Sequence, residues 1–138
     1  MSTNAEINDA FLLYSDDDIN IVTKILPIKS KILTKSDIVL GSFEHQEIIK
    51  FLCEKKIIFI LCTENYYNSP LDFYVLFSQY LQITEYKTKK IIPLIVNLDV
   101  KLPNYLRIYR PLYLDLNLDL KLDDYYNASH SKKKCIIL

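Results

Sequence analysis

Glycine is almost missing from this 138-residue chain, and tryptophan is missing altogether. A single glycine, Gly41, excludes the P-loop of nucleotide-binding enzymes, which needs several glycines to wrap phosphates. Neither sign of charge is in excess: 17 basic and 17 acidic side chains cancel, so no overall field gathers polyanions, and nucleic-acid binding has no compositional support. Cysteine occurs only at 53, 62 and 135, without paired C-x-x-C spacing, so neither a disulfide framework nor a zinc site is indicated. Cys53 and Cys62 lie within apolar segments and read as buried, inert thiols. The two histidines, His45 and His130, stand far apart with no serine or cysteine arrangement beside them, which leaves nucleophilic triads and metal sites without support. Long apolar runs are absent too. Nothing approaches the ~20 residues that span a bilayer, and the polar start MSTNAEIND lacks the cationic and apolar regions of a secretory signal, so the body of the protein is expected in the cytosol.

What is present is globular. Half of the residues are apolar and a quarter charged, and the length fits one domain around one core. Lysine outnumbers arginine 15 to 2, and Ile, Asn and Tyr are frequent, a bias that suits an AT-rich genome such as that of a large DNA virus. Short aliphatic runs alternate with helix-like segments, the pattern of a parallel sheet flanked by helices. DAFLLYS (9–15) reads as a strand and DDDINIVTKILP (16–27) as a helix, with Ile19, Val22, Ile25 and Leu26 on one stripe and the aspartates at its positive end. KILT (31–34) reads as a second strand, 44–55 as a helix, and KIIFILC (56–62) as a central strand covered on both faces. The next helix starts near Ser69 and Pro70, with Asp72 where a capping-box carboxylate sits. KIIPLIV (90–96) is a strand whose Pro93 argues for an edge or a bulge, and YRPLYL (109–114) is the last strand. From Leu112 to Leu122 leucine recurs at every second position, the strand period. The lone glycine marks backbone that needs positive φ or a close approach.

The order of these pieces resembles the Toll/interleukin-1 receptor (TIR) domain family. In DAFLLYS, residues Asp9, Ala10, Phe11, Tyr14 and Ser15 match the family's first box, D-A-F-I-S-Y-S. SDIVLG (36–41) is similar to the second box, R-D-x-x-P-G, keeping Asp37 and Gly41 but carrying Ser36 for arginine and Leu40 for proline. KKIIFILCTENYYNSPLDF and KKIIPLIV resemble the family's third strand with its loop and its fourth strand, and the flavour is closest to the TIR domain of the myeloid-differentiation adaptor. The third box, Phe-Trp in the last helix, is missing. The resemblance implies an α/β, flavodoxin-like three-layer domain over residues 6–122 with a five-stranded parallel sheet and a doubtful last helix, followed by a flexible basic tail over 123–138.

It also implies how the protein works. In such domains the second-box loop docks on another TIR domain, which assigns Asp37, Ile38, Val39, Leu40 and Gly41 to an interface with TIR domains of receptors or adaptors. Weak homo-oligomerisation is a further expectation. Some TIR domains cleave NAD with a glutamate early in the third helix; here Val75 or Tyr74 holds that position, so no catalysis and no cofactor are expected, and the NAD-cleaving enzyme stays as the alternative. At the end of the chain, Cys135-Ile-Ile-Leu is a C-a-a-X box that favours a geranylgeranyl group on Cys135. Lys132, Lys133 and Lys134 upstream supply the basic patch that a single lipid needs for stable anchoring. The expectation is a protein peripheral on the cytosolic face of a eukaryotic membrane, binding TIR domains as a decoy inhibitor of innate immune signalling, with a positive TIR adaptor as a further alternative.

Overall fold

The computed structural model describes residues 9–27, 30–84 and 89–128. Four strands, β1 (Ala10–Leu13), β2 (Ile57–Cys62), β3 (Lys90–Ile95) and β4 (Leu112–Tyr113), form one parallel sheet in the order β1-β2-β3-β4. Helices α1 (Ile19–Ile25), α2 (Glu44–Glu54), α3 (Leu71–Thr84) and α4 (122–128) surround it. The α/β doubly wound class expected from the alternation of segments is the class observed.

Side-chain alternation along the strands divides the core into two layers. Ala10, Leu12, Phe59, Leu61 and Leu94 face one side with Val22 and Ile25 of α1 and Leu122 and Tyr126 of α4. Phe11, Leu13, Ile58, Ile60 and Ile91 face the other, against Ile48 and Leu52 of α2 and Val75 and Leu81 of α3. All six residues of β2 are buried, as a strand covered on both faces requires.

Five strands are expected, and four form among the described residues. The difference is the 31–34 segment, where Leu33 alone bridges to Phe11. Leu12 N–H donates to the Leu33 carbonyl at 2.8 Å, and Leu33 N–H donates to Ala10 at 3.1 Å. Local hydrogen bonds keep the segment from extending further: the Ser30 hydroxyl accepts from Ile32 N–H, and Thr34 already begins a 310 turn over Lys35–Asp37. The bridge still lies outside β1, on the side away from β2, because β2 takes the carbonyl of Asp9 while the bridge takes the alternate residues Ala10 and Leu12. The order in which successive segments add to the sheet thus changes sides at β1, which puts a switch-point crevice at the carboxyl ends of β1 and β2.

Pro93 sits in β3, which has neighbours on both sides. Its ring nitrogen faces β4, since the carbonyl of Ile95, two residues on, accepts from Leu114 on that side. Pairing with β4 covers only Leu94 and Ile95. Proline therefore meets no strand there, and the edge rule holds locally within an interior strand.

The leucine alternation after residue 112 is not a long strand. Leu112 and Leu114 are buried, but Asp115 turns the chain, accepting from Asn117 N–H through its side chain and from Leu118 N–H through its carbonyl. The chain then re-enters as α4, where Lys121 N–H donates to the Asp124 carboxylate at 3.0 Å. That is the reach-back half of a capping box. Tyr126 meets Phe59 edge-on, with ring centroids 5.9 Å apart. The last helix held doubtful on sequence does form, and the domain body extends past residue 122 to 128.

Candidate functional site

The 35–43 loop is built by its own short-range chemistry. Thr34 and Asp37 close a capping box around the 310 turn: the Thr34 hydroxyl accepts from Ser36 N–H at 3.1 Å, and Asp37 Oδ2 accepts from Thr34 N–H at 2.8 Å. Ser36 shares a 3.1 Å hydrogen bond with the Tyr14 hydroxyl, and Lys35 pairs with Asp16 while its ammonium lies 4.7 Å from the centre of the Tyr14 ring. These contacts fix the base of the loop to the end of β1. Ser36, which replaces the arginine of the resembled motif, is thus an anchor.

Beyond the base the chain turns outward. Ser42 N–H donates to the Val39 carbonyl at 3.1 Å, closing a four-residue turn with Gly41 third, at φ +88°. This is the type II position that demands positive φ. A Cβ at Gly41 would meet nothing within 4 Å, so conformation and not space selects glycine. The turn lifts Leu40, 98% exposed, and Val39, 72% exposed, into solvent, with Phe43 exposed behind them. Ile38 does not join this surface. It is half-buried and packs on the core layer beneath α2 and α3. Of the five interface residues expected, Val39 and Leu40 are exposed apolar side chains, Gly41 shapes the turn, Asp37 has one carboxylate oxygen engaged in the loop's own closure, and Ile38 is half-buried at the loop's base.

A cavity of about 260 Å³ opens at the switch-point crevice beside this loop. Its walls include Tyr14, Lys35 and Tyr74, and three carboxylates, Asp16, Asp17 and Glu44. Val75 is fully buried in the core, and the Tyr74 hydroxyl shares a 2.9 Å hydrogen bond with His45 Nδ1. Burial, and then the charge of Glu44, raises the Tyr74 phenol above its ordinary pKa. The acidic residues of the cavity thus come from the ends of β1 and α2 rather than from α3, which the sequence reading did not anticipate.

Asp18 belongs to the scaffold beneath the crevice. It is buried and accepts from Thr63 Oγ1 at 2.6 Å and Asn65 Nδ2 at 2.7 Å. Its two aspartate neighbours stay exposed, so the run read as a helix-end charge cluster contains one structural carboxylate. Asp72, expected to cap α3 with Ser69, instead accepts from the Tyr105 hydroxyl, while the Ser69 hydroxyl donates to the Tyr66 carbonyl. With its proton committed to Asp72, Tyr105 accepts from Tyr66 across 2.7 Å. Burial is the main cause that pushes Tyr66 upward and Tyr105 up to about 12. Cys62 is buried and pushed to about 12 by desolvation, an inert thiol as expected. Cys53 is exposed, against expectation, because its place on α2 faces solvent.

Cys135, Lys132, Lys133 and Lys134 lie outside the described residues. Among the described residues no helix is long and apolar enough to cross a membrane, and no group of three or more His, Cys, Asp or Glu side chains could hold a metal ion.

No family model and no curated protein matches the chain by sequence. By structure it is similar to the TIR domain of the Toll-related receptor TRR-2 from Hydra magnipapillata, with a TM-score of 0.57 and 16% identity over 76% of this chain and 82% of that one. The fold is therefore TIR-like.

Proposed function

We propose that this chain is a non-catalytic TIR-fold protein that binds TIR domains of Toll-like and interleukin-1 receptor signalling components through the 37–41 loop, and acts as a decoy. A geranylgeranyl group on Cys135, helped by Lys132, Lys133 and Lys134, holds it on the cytosolic face of a eukaryotic membrane. The observation that carries the reading is the turn at Gly41, which holds Leu40 almost wholly in solvent on a loop tied at its base to β1. A rigidly mounted aliphatic tip is the geometry of a docking contact. Confinement to a surface raises the effective concentration for weak contacts of this kind, which is what a lipid would contribute. Ser36 and Leu40, where the resembled motif has arginine and proline, support a decoy over an adaptor. The lone tryptophan-containing box that such domains carry in their last helix is also missing here.

The cavity lined by Asp16, Asp17 and Glu44 favours a second reading, an NAD-cleaving enzyme whose carboxylate comes from a different element. Co-precipitation of the full chain with a panel of TIR domains from eukaryotic cells tests the first reading. Leu40→Glu is expected to lose TIR binding while staying membrane-associated, and Cys135→Ser to do the reverse. TIR binding by Leu40→Glu at the level of the unaltered chain would overturn the docking assignment. Release of nicotinamide from NAD by purified protein would overturn the non-catalytic one.

A further inference from the structure

The outer face of α3 carries an apolar stripe that the fold does not use. Phe73 (55% exposed), Leu76 (50%), Tyr80 (60%) and Ile83 (82%) follow one another at helical spacing, directly opposite the buried Leu71, Val75, Ser78 and Leu81. Phe73 stacks along Phe77 at 6.5 Å, extending the stripe sideways. The polar side chains of the helix are turned inward or back onto it. Gln79 donates to the Tyr105 carbonyl and Gln82 to that of Lys89, while the Ser78 and Thr84 hydroxyls donate to the carbonyls of Tyr74 and Tyr80. Leu71–Thr84 contains one charged residue, Asp72, at its first turn.

We infer that α3 is the contact face of a symmetric homodimer, packed antiparallel against α3 of a second copy of this chain. Two features select a second copy. The stripe has no charge that would demand a complementary partner, and so meets its own image without like-charge repulsion. Its size also matches: at ~200 Å² for a fully exposed large side chain, the four residues offer on the order of 500 Å². A homodimer face of ~800 Å² per chain, ~65% apolar, needs about that much apolar area from each copy. A dyad between Leu76 and Tyr80 sets Phe73 opposite Ile83 of the second copy and Leu76 opposite its Tyr80, with every apolar residue of the stripe covered. A membrane surface is the weaker fit, because α3 has no lysine or arginine to meet anionic headgroups and its one charge is acidic.

Sedimentation equilibrium of the full chain tests this. The unaltered chain is expected to dimerise, and Tyr80→Glu to raise the dissociation constant ~10-fold or more, with an unchanged circular dichroism spectrum and melting temperature. Leu76→Glu should do the same if Tyr80→Glu fails to fold, and Leu40→Glu should leave the dimer intact, which separates this face from the docking loop. A chain that stays monomeric at high concentration overturns the inference, as does a dimer that survives both α3 substitutions. A dimer lost with Leu40→Glu assigns self-association to the loop. A monomer that binds neutral phosphatidylcholine vesicles, and loses that binding with Tyr80→Glu, assigns the stripe to a bilayer.

Discussion

Asp18, at the start of α1, accepts a 2.6 Å hydrogen bond from the hydroxyl of Thr63, just past the end of β2, 45 residues away in sequence. Both side chains are buried, and the carboxylate's other oxygen takes the Asn65 amide. The bond pins together the two strand ends that frame the crevice. Asp18→Ala leaves the Thr63 and Asn65 donors unpaired, and a loss of about 2–3 kcal/mol in urea unfolding is expected. Thr63→Val in the same background should cost less than it does alone. Equal costs in the two backgrounds would mean that the pair is not coupled.

Lys89 reaches from the start of β3 to the end of α2, where its buried ammonium donates to the carbonyls of Leu52 and Lys55. A cation on the last carbonyls of a helix satisfies groups that have no helical partner. Lys89→Met keeps the apolar stem and removes the donor. Unfolding free energy should fall by about 1–3 kcal/mol, with faster amide exchange concentrated in the last turn of α2.

Gly41 and Leu40 respond oppositely to backbone restriction. Gly41→Ala meets no neighbour but forces a side chain into φ +88°, at a cost of about 1–2 kcal/mol. Leu40 occupies the second position of the turn, where proline is favoured, and Leu40→Pro should raise stability by about 0.4–1 kcal/mol in thermal or urea unfolding. The same substitution keeps an apolar tip, the proline of the resembled second box, so TIR binding should be retained while stability rises.

Alkaline solution should unfold the protein through its tyrosines. Tyr66 and Tyr105 are held protonated in the fold, above the ordinary phenol value of 10.0, first by burial and then by the hydrogen-bond chain that runs from Tyr66 to Tyr105 and from Tyr105 to Asp72. Below pH 10 their contribution is fully present. As pH rises past 10, only the unfolded chain gives up these protons, and stability falls toward about pH 12, where Tyr105 itself titrates, by up to ~1.4 kcal/mol per pH unit for each phenol. Tyr66→Phe should flatten this decline. An unchanged slope between pH 10 and 12 would show that the Tyr66 phenol does not carry it.

The sheet was legible because β1, β2 and β3 are short, strongly apolar and bounded by polar residues, and α2 and α3 because their stripes repeat at helical spacing. Three features were hidden for identifiable reasons. Leu33 sits in a segment whose β-like composition loses to the side-chain hydrogen bonds of Ser30 and Thr34. The leucines from 112 to 122 keep the strand period after the sheet has ended, and the real signal for α4 was the acidic pair Asp123-Asp124, placed to reach back to Lys121. Asp72 has a capping position in sequence, but tertiary structure brings Tyr105 to it from 33 residues away. Within the candidate site, Gly41 and the outward turn followed from one glycine in an otherwise glycine-free chain, while the inward rotation of Ile38 and the anchoring by Ser36 depend on Tyr14 and the core, which local sequence does not encode.

Both margins of the sheet are very short: a single bridging residue at Leu33 on one side and two residues, Leu112–Tyr113, on the other. A newcomer's backbone finds only one or two rungs to grip at either border, although the interior strands are among the most aliphatic segments of the chain. Fibril growth by edge recruitment is thereby denied a long template among the described residues, and the two strands richest in isoleucine, β2 and β3, each keep a neighbour on both flanks.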